Sequence, residues 1–327
     1  MKPFERIEAI LNGKDIDRPC ISLWKHFPIT DRMPLKFIER TISFQDTYEW
    51  DFIKLCYNGL FSIEDWGSVI KWPETENDVG VVADFHIKDE LGWESLNHLS
   101  VNEGALAREI GITREVVKRF KGKVPVVGTV FSPLTTAIKM SGDVMFDHIK
   151  GDSQGLNRAL QVITETTIEF VKELLQTEID GIFFATQLGT TDRLTVDEYN
   201  TFGRRFDLPI LEAVQGKTWF NILHLHGEEP MFDELKDYPV QAINWHDRKV
   251  SVDLAVGRKK TDKILVGGID EFGVLANGSE KDLEEHVREA VKQAGDNKLI
   301  LGPGCVVPLH IPEERFAVLK RIVEGIK

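Results

Sequence analysis

A closed parallel barrel of eight strand–helix units, a (β/α)8 fold, is what this sequence predicts, and three observations predict it. Eight short apolar runs recur along the chain, at 19–25, 51–58, 124–131, 180–186, 218–226, 241–247, 264–270 and 299–305. Most are separated by one helical stretch, and runs that are apolar throughout belong to a parallel sheet buried on both faces. Nearly every run also ends in a polar or ligating side chain, which is where a barrel of this kind carries its active site. An open doubly wound sheet is the competing arrangement, but no GxGxxG follows the first run to support it.

The elements follow in order. The opening MKPFERIEAILNGKDIDRP reads as an amphipathic charged helix, an N-terminal extension rather than a signal peptide. PCISLWK (19–25) is the first strand, a helix around 36–47 comes next, and DFIKLCYN (51–58) is the second strand. Residues 60–122 fit the repeat poorly. Their alternating pattern and turn signals read as a hairpin or excursion, an insertion over the mouth of the barrel. VPVVGTVF (124–131) resumes the repeat, followed by a Ser/Pro break and a helix of 3.6-residue period across 152–177. DGIFFAT (180–186) precedes a helix opened by Thr195 with Glu198 three residues on, a capping box. TWFNILHLH, a helix near 230–236, QAINWHD, a helix from about 251, and ILVGGID follow. A helix capped by Ser279, LILGPGC and a last helix from Pro312 complete the series.

Composition narrows the function. At 327 residues, 42% hydrophobic and 28% charged, the chain reads as one barrel domain over 1–327. No apolar run approaches the roughly 18–20 residues of a membrane span. Lys and Arg number 40 against 53 Asp and Glu, a net charge of -13 with no local basic cluster, which excludes a nucleic-acid backbone as partner. Three cysteines are too few for a disulfide framework and point to a reducing cytoplasm.

The chemistry concentrates at the strand ends: Lys25/His26, Tyr57/Asn58, Phe131/Ser132, Thr186/Gln187, His224/His226, His246/Asp247, Asp270 and Cys305. His224 and His226 are two residues apart, so on a strand both rings point to one face. Cys305 lies 79 residues beyond His226, behind a Gly302-Pro303-Gly304 turn that exposes it at a strand end. Two imidazoles and one thiolate are the protein ligands of a catalytic zinc with its fourth position open. The plainer alternatives are a chance H-x-H pair and a cysteine acting as a small buried hydrophobe. Asp270 is either an inward acid or a helix cap. His246 and Asp247 are either acid–base partners of the site or a loop pair capping the helix near 251. Glu228 and Glu229 are further candidates for orienting ligands.

The chain resembles the uroporphyrinogen decarboxylase superfamily over nearly its whole length. The resemblance is carried by RIEAILNGKDIDRPCISLW, FSIEDWG, PVVGTVFSPLTTAIKMSG, DGIFFATQLGTTDRLTVDEYNTF, ILVGGID and LILGPGCVVPLHIPEERF, and it implies a (β/α)8 barrel and a homodimer. The working positions of the decarboxylases are not matched. Their RQAGRY-type motif reads LWKHFPITDRMP, their TLxxYM tyrosine is Lys139, their FDSWAG serine is Thr186, and their LGHG histidine is Pro303. The chain looks closer to the corrinoid-dependent methyltransferases of the superfamily, such as methylcobamide:coenzyme M methyltransferases, which bind zinc through H-x-C and a GPGC-like cysteine. His224 matches the first ligand, Cys305 the last, and His226 stands where cysteine is usual. Resemblance therefore implies zinc on His224, His226 and Cys305, and a methyl group exchanged between a corrinoid protein and a thiol or other small acceptor. It leaves His246, Asp247 and Asp270 as the catalytic candidates. A divergent decarboxylase or a non-catalytic binding barrel is the alternative expectation.

Overall fold

The structure, a computed structural model, describes residues 1–295 and 298–326. Among the described residues ten strands form: β1 (Cys20–Ile21), β2 (Ile53–Leu55), β3 (Val69–Lys71), β4 (Val81–Asp84), β5 (Val126–Phe131), β6 (Gly181–Thr186), β7 (Ile222–Leu225), β8 (Ala242–Trp245), β9 (Ile264–Ile269) and β10 (Leu299–Pro303). Eight of them make one parallel sheet, in the order β1-β10-β9-β8-β7-β6-β5-β2. That is chain order around a ring. The two outer strands meet where the Asp51 N–H donates to the Ile21 carbonyl (2.9 Å) and the Ser22 hydroxyl to the Phe52 carbonyl (2.8 Å). A TIM-barrel-like fold results, as the apolar runs predict.

Each strand points one set of side chains into the barrel and the other at the helices. Trp24, Phe52, Cys56, Phe183, Phe220, Ile222, Ala242, Val266 and Ile300 fill the interior. The larger cluster, between strands and helices, holds the outward set, with Leu223, Ile243, Leu265 and Leu301 among it. Register places Ala185 beside His224 and His224 beside Asn244. Since Ile222 and Ala242 face inward, His224 and Asn244 two residues on do so too, one layer nearer the strand ends.

The stretch 60–122 divides. Its first part is the expected excursion, an exposed antiparallel hairpin of β3 and β4. Its last part is an ordinary barrel helix, Gly104–Phe120, packed on the helices Pro34–Tyr48 and Gln154–Gln176. Its buried face carries Glu109, which pairs with Arg108 (2.7 Å), and Thr113, which meets the Tyr57 hydroxyl at 2.5 Å. Polar residues on that face interrupt the apolar period that would otherwise reveal the helix. Elsewhere the caps hold as read: Thr195 and Ser279 each form a capping box, with Glu198 and Asp282 respectively.

One buried group makes stability depend on pH. Asp207 accepts hydrogen bonds from Tyr199 (2.7 Å) and Tyr238 (2.8 Å), while its other oxygen has no partner. Burial pushes its carboxyl up to about 7. Its folded value therefore lies above the unfolded one, so the native state holds the proton longer. Stability from this group is present below about pH 4 and is lost as pH rises toward 7. In Asp207→Asn the amide oxygen still accepts from both tyrosines. Unfolding in urea across pH 4–7 is expected to show a flatter profile for the variant than for the parent.

Candidate metal centre

Three chain segments bring the site together. β7 carries His224, the turn after it carries His226, and the turn after β10 carries Cys305. One ligand atom from each of the three lies within 4.8 Å of the others. Residues separated by 79 positions in sequence thus meet at the strand ends. His224 is fully enclosed, whereas His226 and Cys305 are half-buried.

The hydrogen bonds fix the tautomer of His224. The Asn244 amide nitrogen donates to the carbonyls of Val266 (2.8 Å) and Pro303 (3.0 Å). Its oxygen therefore faces His224 Nδ1, at 2.6 Å, and Nδ1 carries the proton. Nε2 keeps its lone pair. A ligating imidazole whose other nitrogen is held by an amide or carbonyl oxygen is a usual arrangement at metal sites. The three rings His224, His226 and His246 cluster, the last two with centroids 4.9 Å apart. Burial pushes His224 well below the ordinary imidazole range, with repulsion from His226 and His246 adding to it, and burial also lowers His226. Neutral imidazoles are the ligating form. Burial pushes the Cys305 thiol up to about 11, so the thiol is protonated until a cation favours the thiolate.

The remaining expected site residues make different contacts. His246 is close, its Nε2 3.2 Å from His226 Nδ1. Asp247 is buried and turned to the backbone, accepting from the Gly268 N–H at 3.0 and 3.1 Å, with Arg248 at 3.5 Å. A side chain at Gly267 would strike its carboxylate at 2.4 Å, which is why a glycine stands there. Asp270 accepts the N–H groups of Phe272 (3.2 Å) and Gly273 (2.9 Å) and so closes the turn before the helix Val274–Asn277. Glu228 and Glu229 are exposed, and their N–H groups are anchored on Asp192 (both 3.2 Å).

A cavity of about 340 Å³ opens beside the trio, lined by Trp24, His26, Lys54, Lys139, Phe183 and Gln187 as well as His224 and Cys305. Val79 and Gly80 of the hairpin loop help to wall it, so the excursion does reach over the mouth. Lys54 comes from β2 and Lys139 from the helix Pro133–Ser141. Lys139 Nζ donates to the Gly59 carbonyl (2.8 Å) and sits 3.2 Å from the Phe131 ring centre. Lys54 Nζ lies 3.1 Å from Cys56 Sγ. Among the described residues neither has a carboxylate in ion-pair contact, and burial pulls Lys139 down to about 7. Sequence reasoning missed Lys54 and Asn244. The signal was available for Lys54, because it falls between the inward Phe52 and Cys56, where a cation is out of place.

These features define a class: a (β/α)8 barrel with two imidazoles and a thiol gathered at its strand ends beside a cavity. More particularly, the chain belongs to the uroporphyrinogen decarboxylase (URO-D) family, whose profile matches residues 3–326. The methylcobamide:CoM methyltransferase MtbA of Methanosarcina acetivorans is 21% identical over 243 residues, 74% of this chain and 69% of that one. Uroporphyrinogen decarboxylase 2, chloroplastic, of Arabidopsis thaliana is 26% identical over 234 residues, covering 65% and 56% respectively. A solved methyltransferase from Methanosarcina mazei superposes with a TM-score of 0.86 over 99% of this chain and 98% of its own, at 17% identity. That likeness supports the fold. Among the described residues no helix is long and apolar enough to cross a membrane.

Proposed function

We propose that the protein is a zinc-dependent methyltransferase that moves a methyl group between a corrinoid protein and a small acceptor, most simply a thiol. The observation that carries this reading is the convergence of His224, His226 and Cys305 within 4.8 Å. The donor set fits zinc, which takes nitrogen and sulfur ligands and, with three protein ligands, leaves a position open. Bound there, a zinc ion supplies the Lewis acidity that strips a thiol of its proton at neutral pH. The similarity to methylcobamide:CoM methyltransferases supports the corrinoid as the other reactant.

The chain's own residues do the rest. Asn244 holds His224 with Nε2 toward the trio. His226 can donate from Nδ1 to His246, leaving its own Nε2 for the metal. Asp247 and Asp270 act on the backbone, keeping the strand-end turns in shape. Trp24, Phe131 and Phe183 make the cavity dry, and Lys54, together with Lys139 in its protonated form, makes it positive. An acceptor with an acidic group at its far end is therefore favoured over a neutral one. Lys139→Met is expected to lower kcat/KM for an acidic acceptor by about 10- to 100-fold, the worth of one hydrogen bond to a charged group. It should leave a neutral acceptor nearly unaffected, which a comparison of two thiols would read directly.

The decarboxylase reading draws no support from the cavity, which among the described residues no arginine lines. The test is anaerobic turnover of the zinc-loaded protein with free methylcobalamin standing in for the corrinoid protein. Thiol-dependent loss of the methyl–cobalt absorbance is the expected result. Consumption of uroporphyrinogen by metal-free protein, with no such loss, would overturn it.

A further inference from the structure

We infer that Glu271 is a positioning residue of the metal centre, holding the turn that carries Cys305 by its backbone. The inference rests on the metal reading above and adds a residue to it.

Glu271 follows β9 and is almost fully enclosed. One carboxylate oxygen accepts the Gly304 N–H (3.1 Å) and the other the Cys305 N–H (3.2 Å). Both oxygens are therefore spent on the segment that carries the thiol. Gly304 lies so close to the β8 end that a side chain there would meet the His246 backbone at 2.9 Å. The turn can reach Glu271 only because that residue is glycine. The same carboxylate lies 3.7 Å from His246 Nδ1, and His246 in turn touches His226. Glu271 thus contacts the cysteine arm directly and the histidine arm through one ring.

Holding the turn sets where the thiol stands relative to the two imidazoles, because the Cys305 backbone is fixed at its own N–H. A carboxylate offers an acceptor oxygen to each of the two N–H groups at once, which an amide cannot do.

That difference gives the test. Apoprotein is titrated with cobalt(II), and binding is followed by the thiolate-to-cobalt absorption band, which reports Cys305 in the ligand sphere. Glu271→Gln is expected to weaken cobalt binding by about 10- to 100-fold, the usual cost of losing a partner behind a metal ligand. One of the two N–H groups then faces an amide NH2, so the apoprotein should fold but unfold at a moderately lower temperature than the parent. Glu271→Asp keeps both acceptor oxygens and should recover part of the affinity. Unchanged cobalt affinity in Glu271→Gln would overturn the inference. So would a Glu271→Asp variant that folds but binds cobalt no better than Glu271→Gln, because that outcome separates the acceptor oxygens from the affinity. A parent protein that shows no band at all contradicts the metal reading itself and takes this inference with it.

Discussion

Cys305→Ser is expected to abolish metal binding at stoichiometric concentration and to reduce methyl transfer by more than 10²-fold. Losing a partner behind a ligand typically costs about 10- to 100-fold, and losing a ligand should cost more. His224→Ala should do the same for a second reason. Asn244 would then lose the ring its amide oxygen faces, while still donating to Val266 and Pro303. Elemental analysis of protein purified without chelator should give about one zinc per parent chain and a small fraction of that for either variant. The fold should survive in both, because the barrel interior beneath the site is packed by Ile222, Ala242, Val266 and Ile300. Two variants that keep their zinc would leave the trio without a metal role.

The largest effect on stability is expected at the opposite end of the barrel, at Asp51. Its carboxylate is wholly enclosed and accepts from Arg6 (2.5 Å), from Arg18 (2.7 and 3.1 Å) and from the Ile21 N–H (2.8 Å). Its own N–H closes the seam between β1 and β2 by donating to Ile21. Asp51→Ala leaves two guanidinium groups without their shared anion, one of them enclosed. Breaking such a pair from one side costs about 3–5 kcal/mol, a large part of the roughly 5–15 kcal/mol by which folded domains are stable. The unfolding temperature should fall by roughly 5 °C or more. Asp17 also pairs with Arg6 but is 43% exposed, so Asp17→Ala should cost about 1 kcal/mol or less. Equal effects for the two variants would show that the Asp51 cluster does not hold the seam.

Much of this molecule is legible in its sequence, and the reasons differ by region. The eight barrel strands are visible because each is enclosed on both faces, which forces the unbroken apolar runs around Ile182, Leu223, Ile243 and Leu265. His224, His226 and Cys305 stand out because ligating side chains are rare at the ends of such runs. The helix Gly104–Phe120 is obscured because Glu109 and Thr113 sit on its inner face, paired to neighbours that no local pattern reveals. Glu271 is obscured for another reason. Its partners are backbone N–H groups more than 30 positions away in sequence, and a backbone group leaves no trace in residue identity. Asp270, its neighbour, draws notice as the last residue of an apolar run, yet its carboxylate serves the turn.

X-ray absorption at the zinc edge, recorded with and without an acidic thiol, tests the central claim most directly. The parent protein should show one sulfur and two imidazoles around zinc, with a second sulfur on adding the thiol. A sphere without sulfur in the parent, or one that the thiol leaves unchanged, would contradict the account.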